Sequence, residues 1–262
     1  MRSASEPSSS GAAVAVRGMD IGYGSLVVQR GLEFEVAPGR VFVIMGGSGS
    51  GKTAVLRAMI GLLAPLRGDV LFDGVNLWQA DDAKRRQLMR RFGVLYQSGA
   101  LWSSMTLAEN VGLPLEEFTA LTGTQVRDLA ALKLALVGLA GFEDFYPAAI
   151  SGGMQKRAAL ARAMALDPDV LFLDEPSAGL DPINARRLDD LILELRNSLG
   201  CTVVVVTLEL ASIFAIGDDA VFLDARTRTM TARGHPRTLL AESTDPAVRA
   251  FLTRGRASIP GQ

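Results

Sequence analysis

The chain has 262 residues, 48% of them hydrophobic, with a formal net charge of −1 and a single cysteine. Length and apolar content support a substantial core in one large domain or two small ones. The near-zero charge gives no global attraction for nucleic acid, and the lone Cys201 excludes an internal disulfide framework and fits a reducing compartment. Mean hydropathy is +0.24, yet the most apolar stretch, 202–216, is interrupted by Glu209 and is too short to cross a bilayer.

In chain order, residues 1–12 carry Glu6, Pro7 and a serine run where a signal peptide needs an apolar core, so they read as a loose tail. Val14–Met19, Leu32–Val36 and Arg40–Met45 read as strands, the last two joined by a Pro38-Gly39 turn. Val55, Met59 and Leu62 have helical spacing and predict a helix over Thr53–Leu63. A short strand Val70–Phe72 ends at Asp73-Gly74, a helix is expected over Asp81–Phe92, and a strand over Gly93–Gln97. From about 98 to 165 the pattern is helical, with helices over Leu107–Val111, Thr124–Val137 and Gly152–Met164. Strands return at Val170–Asp174, Thr202–Thr207 and Ala220–Leu223, with a helix Ile183–Leu199 between the first two and a C-terminal helix at Asp245–Arg254. Alternating strands and helices predict a three-layer α/β core with a largely parallel sheet, into which 98–165 is inserted as a helical subdomain. The folded domain is expected over 13–254, followed by a tail at 255–262.

Between a strand and a helix, Gly46-Gly47-Ser48-Gly49-Ser50-Gly51-Lys52-Thr53 matches G-x-x-x-x-G-K-[ST] in full. Glycines let backbone N–H groups converge on phosphate oxygens, and the following helix N-terminus adds positive potential. Lys52 is expected to bridge β- and γ-phosphates and the Thr53 hydroxyl to ligate Mg²⁺. Asp174 ends an apolar strand, at the sheet edge where α/β folds bind ligands. It is expected to hold Mg²⁺ through water, and Glu175 to polarise the attacking water as general base.

Through these motifs and those that follow, the chain resembles the ATP-binding-cassette (ABC) ATPases over nearly its whole length. Ile150-Ser151-Gly152-Gly153-Met154 resembles that family's signature, and Ser177-Ala178-Gly179-Leu180-Asp181 its D-loop. Gln97 falls where the family places a glutamine that contacts Mg²⁺ and water, and Tyr23 where an aromatic stacks on adenine. The resemblance implies a P-loop NTPase (RecA-like) core with an antiparallel β edge subdomain and an inserted helical subdomain. It also implies ATP and Mg²⁺ as cofactors and two copies sandwiching two ATPs head to tail, so that Ser151, Gly152 and Gly153 serve the partner's nucleotide. The stretches LYQSGALWSSMTLAENVGLPL, ISGGMQKRAALARAMALDP and DPAVRAFLTRG are similar to the phospholipid-transport ATPases of Mla/Mce-type systems. That branch implies a multi-span permease and, through it, an Mce-domain lipid-binding protein, with the ATPase peripheral on the cytoplasmic side of the inner membrane. The alternatives are the ATPase of another transport system, or a soluble cassette acting on ribosomes or DNA; the single ATP site and the charge balance argue against the latter.

One position departs from the family pattern. After strand Thr202–Val206 the family has Thr-His, and here Thr207 is followed by Leu208. Loss of one donor to a γ-phosphate costs roughly a hundred- to a thousand-fold in rate, so a slow enzyme or an ATP-binding copy with impaired hydrolysis is a further alternative. The sole histidine, His235, reads as a turn residue. Among weaker signals, Lys84-Arg85-Arg86 and Arg90-Arg91 read as a solvated helix face, Trp78 and Phe92 as core, and Leu101 and Trp102 as either subdomain packing or a permease-facing surface.

Overall fold

Strands β3 (Val41–Met45), β7 (Val170–Asp174) and β8 (Thr202–Thr207) are buried at every position. Continuous apolar runs of this kind belong to a parallel sheet covered on both faces. The computed structural model, which describes residues 13–254, bears this out; the tails expected at 1–12 and 255–262 lie outside the described residues. These strands form the centre of a six-stranded sheet in the order β10 (Thr229–Gly234), β9 (Asp219–Asp224), β3, β8, β7, β6 (Phe92–Leu95). All neighbours are parallel except β9 and β10. A second sheet is antiparallel, in the order β2 (Leu26–Val36), β1 (Val14–Tyr23), β4 (Arg67–Phe72), β5 (Val75–Asn76).

Alternation along the central strands divides the core in two. Phe42, Ile44, Val204 and Val206 face α1 (Lys52–Met59) and the antiparallel sheet, meeting Val55, Val16 and Phe34. Val43, Met45, Val203 and Val205 face the other way, toward a layer that includes α3 (Leu107–Phe118), α5 (Gly152–Ala163) and α6 (Pro182–Leu199). Each such side chain stabilises the fold by roughly 1.5–3 kcal/mol on burial. Between α3 and α5 lies α4 (Gly123–Leu136); α3 and α4 each start with a Thr capping box, at Thr106–Glu109 and Thr122–Gln125.

The boundaries differ from the expectation where packing overrides pattern. The helix α2 (Asp82–Met89) stops short of Phe92, which joins β6 and packs its ring 4.2 Å from Phe72 and 5.6 Å from Phe172. The helix expected to reach Leu63 ends at Met59, where Gly61 turns left-handed and the amides of Leu62 and Leu63 fold back onto the Arg57 carbonyl. The apolar run 202–216 is two elements, β8 and α7 (Leu210–Ile216), broken at Leu208-Glu209. His235 is the N-cap of α8 (Pro236–Glu242), its Nδ1 accepting from the Arg237 amide. The last helix, α9, covers Pro246–Leu252. Among the described residues no helix is long and apolar enough to cross a membrane.

Candidate active site

The loop from β3 into α1 is shaped by glycines at positions that exclude a side chain. Gly46, at φ 156°, would place a Cβ 2.4 Å from the Leu223 carbonyl oxygen, and Gly51, at φ 87°, a Cβ 2.5 Å from Val28 Cγ1. Gly49 is left-handed at φ 76° with open space around it. Gly47, Ser48 and Gly49 are exposed, so the loop presents backbone outward ahead of the first turn of α1. From that turn the Lys52 ammonium reaches back and donates to the carbonyls of Gly46 and Gly47, both at 3.0 Å. Burial lowers the Lys52 pKa, opposed by the charges of Glu175 and Asp174.

Thr53 and Asp174 meet from different elements, with the Thr53 hydroxyl donating to Asp174 Oδ1 at 3.3 Å. Asp174 ends β7, is buried, and has its pKa raised by desolvation against the pull of Thr53 and nearby cations. Glu175 follows at φ 47°, a left-handed conformation that costs a non-glycine residue roughly 1–2 kcal/mol. Its amide donates to Val206 O at 2.8 Å, and its Oε2 accepts from the Leu208 amide at 3.3 Å. Desolvation raises the Glu175 pKa, with Lys52, the Leu208 amide and Thr207 pulling it down. Leu208 thus contributes through its backbone, while its side chain is 41% exposed and carries no donor. A hydroxyl and a carboxylate at one edge are hard oxygen donors of the kind Mg²⁺ accepts beside substrate phosphates, and one or two protein ligands suffice for that ion.

Gln97 lies just beyond β6 with its side chain exposed. Lys156, unforeseen in the sequence and buried on α5, donates to the Gln97 carbonyl and, at 3.4 Å, to the Glu175 carbonyl. Desolvation lowers its pKa, countered by Asp174 and Glu175. Gln29, equally unforeseen, is buried in β2 and donates to Ser50 O at 2.8 Å and Asp224 O at 3.1 Å, bracing the phosphate loop. Gln29 lies ahead of the strand expected at Leu32–Val36 and carried no signal; for Lys156 the signal was a basic residue on a helix whose neighbours at 158–161 are all apolar. Tyr23 ends β1 and is 48% exposed.

Ser151, Gly152 and Gly153 stand apart from this group. Ser151 caps α5, its hydroxyl accepting from the Met154 amide at 3.3 Å. Ser151 and Gly152 are exposed, and a Cβ on Gly152 would meet nothing within 4 Å. The helix start is an open cluster of amides that suits an anion arriving from outside the chain. His235 is engaged at the start of α8 and supplies no substitute for Leu208.

The ABC transporter family model matches residues 29–178. A curated relative, the intermembrane phospholipid transport system ATP-binding protein MlaF of Escherichia coli K12, is 39% identical over 239 residues, covering 91% of this chain and 88% of its own. The probable ribonucleotide transport ATP-binding protein mkl of Mycobacterium leprae is 38% identical over 246 residues, covering 94% and 70%. Among solved structures, the ATP-binding cassette MJ0796, in a dimeric post-hydrolysis state with ADP and Pi, superimposes with a TM-score of 0.76 at 28% identity, covering 85% of this chain and 98% of that one.

Proposed function

The chain belongs to the ABC transporter family and is its ATPase subunit, and from that premise we propose that it energises phospholipid transport as one of two copies beneath a membrane permease. The observation that carries the site assignment is the meeting of Lys52, Thr53, Asp174 and Glu175 at one sheet edge.

In this reading the amides of Gly46 to Gly51, Ser48 and Ser50 among them, wrap the β- and γ-phosphates, and Lys52 exchanges its carbonyl partners for phosphate oxygens. Thr53 and Asp174 would hold Mg²⁺, with Gln97 as a further contact, and the ion would supply charge neutralisation at the phosphates. Glu175 takes the proton of the attacking water; its raised pKa makes it a stronger base than an exposed carboxylate. Tyr23 offers an exposed ring for adenine. Ser151, Gly152 and Gly153 complete the site of the second copy, which fits their exposure and the dimeric state of the MJ0796 cassette.

A groove beside the Gln97 segment supports the permease. It encloses about 620 Å³ between α2, α5 and the end of α3, and is mostly apolar, with Trp102 and Phe118 exposed at 58% and 46%. Arg86, Arg90 and Arg162 line it. Leu101 packs against the core while Trp102 is exposed, which supports subdomain packing for the first and a permease-facing role for the second. Similarity to MlaF, an intermembrane phospholipid transport ATP-binding protein, supports phospholipid as cargo. An Mce-domain protein beyond the permease and a place on the cytoplasmic face of the inner membrane rest on the resemblance of the sequence to Mla/Mce-type ATPases. Because Leu208 offers no side-chain donor, slow or impaired hydrolysis is the second reading.

Co-expression with candidate permeases, followed by ATP-driven transfer of labelled phospholipid between vesicles, tests the assignment. Capture of a multi-span permease and ATP-dependent transfer support it; co-purification of ribosomes or DNA in place of a permease contradicts it.

A further inference from the structure

Three buried polar side chains lie behind Glu175, and none of them has a part in the reaction described above. Ser177, Ser212 and Asp189 are 3%, 2% and 2% exposed, and they come from the turn after Glu175, from α7 and from α6. Ser177 Oγ lies 3.1 Å from Ser212 Oγ, and Asp189 lines the same cavity as both, with the Ser212 hydroxyl favouring its ionised form. Asp189 Oδ1 has no partner among the described residues. A buried carboxyl with an unsatisfied oxygen is costly, and an apolar residue of similar size is often neutral or stabilising in such a place. Stability alone therefore gives no reason for an acid at 189.

The location supplies a reason. Ser177 sits between two turn bonds, from the Ala178 amide to Glu175 O at 3.2 Å and from the Leu180 amide to Ser177 O at 3.1 Å. Ser212 belongs to the helix that begins directly after Leu208, whose amide holds the Glu175 carboxylate. The pair Ser177–Ser212 therefore ties the left-handed backbone of Glu175 to the segment that aims its side chain. An ionised Asp189 only accepts, so a Ser212 hydroxyl turned toward it donates and is left to accept from Ser177, which would order both hydroxyls. We propose that Asp189, acting through Ser212 and Ser177, is a positioning residue that holds Glu175 in register with the phosphate loop. This rests on the reading of Glu175 as the general base.

The relay is open to protons. A cavity of about 340 Å³ is lined by Ser177, Asp189 and Ser212 together with Arg186, Glu209 and Arg254. Burial pushes the Asp189 carboxyl up to about 6, against the pull of Ser212 and Arg186, with Asp190 adding to the rise. The charged groups around it are thus Arg186 and Asp190 on α6, Glu209 ahead of α7, and Arg254 after α9, the last two paired at 3.5 Å. Residues 177–180 contribute no ionisable group. Below about pH 6 a protonated Asp189 becomes a donor and the order of the hydroxyls is no longer imposed.

The test is steady-state ATPase of the purified full-length chain and of Asp189→Asn from pH 5 to 8, with melting temperatures over the same range. The folded carboxyl titrates above its unfolded value, so its contribution to stability is present at low pH and is lost as pH rises through about 6. Asp189→Asn is therefore expected to melt at or above wild type at pH 7.5. Its kcat should nevertheless fall roughly tenfold to a hundredfold with KM for ATP kept, since a small misplacement costs about that much. Wild type should lose kcat as pH falls through about 6, and the variant should lack that step, keeping only the acidic loss that protonation of Glu175 itself brings. A wild-type kcat and pH profile in Asp189→Asn overturns the proposal, as does a loss of kcat that only tracks melting. If the variant does not fold, Ser212→Ala carries the test, with the same loss of kcat expected and wild-type kcat overturning it. Glu175→Gln separates the two claims: full activity there removes the general base and the relay with it, whereas an inactive Glu175→Gln beside a fully active Asp189→Asn removes the relay alone.

Discussion

The carboxyl edge of the six-stranded sheet and the start of α5, the two places proposed to receive phosphate, differ in what holds them. At the sheet edge Lys52, Thr53, Asp174 and Glu175 are set by partners from the loop after β3, from β7, from the start of α1 and from the segment after β8. At α5, among the described residues, Ser151 bonds only its own helix and Gly152 faces open space. The first group is pre-organised by long-range contacts that bury charge and shift pKa values. The second has exposed amides and a helix dipole, and needs its geometry completed from outside. Lys156 joins them, one turn into α5 and bonded to the carbonyl of Glu175. The chain therefore carries one half-site that is nearly finished and another that is not.

Changes on either side sharpen that contrast. Glu175→Gln removes the proposed base while preserving size, and kcat is expected to fall by about 10²–10⁴ with ATP binding intact, read by single-turnover hydrolysis and nucleotide binding. Ser151→Arg fills the open helix start with a bulky cation. ATPase should drop by about 10²–10³ while ATP affinity of the isolated chain stays at wild type; near-normal turnover would mean that the second half-site is not used. The smallest effect belongs to Leu208→His. A side-chain donor beside the amide that already holds Glu175 is expected to raise ATPase of the assembled transporter by up to about a hundredfold. Unchanged or lower activity would show that the backbone contact at 208 is sufficient.

What the sequence disclosed follows the same division. Gly46, Gly51, Lys52 and Thr53 were legible because the loop admits few other residues: a Cβ at 46 or 51 collides with atoms of β9 or β2. The central strands were legible because burial on both faces leaves an unbroken apolar run. Gln29, Lys156 and the Asp189–Ser212–Ser177 group were not, since each takes its meaning from partners 19 to 195 residues away. Local pattern also misplaced Phe92, whose assignment to β6 depends on the rings of Phe72 and Phe172. It missed α7 as well, because an apolar strand followed by an apolar helix shows no change of composition at Leu208.

The central claim is that each ATP site takes its phosphate loop and Glu175 from one copy and Ser151 from the other. Mixing Glu175→Gln chains with Ser151→Arg chains tests it directly. In a mixed pair one site receives both substitutions and the other receives neither, so two inactive preparations should recover activity when combined, to about a quarter of wild type if copies pair at random and sites act independently. Recovery in the mixture, absent from either variant alone, is the result this account predicts. A mixture as inactive as its parts would contradict it.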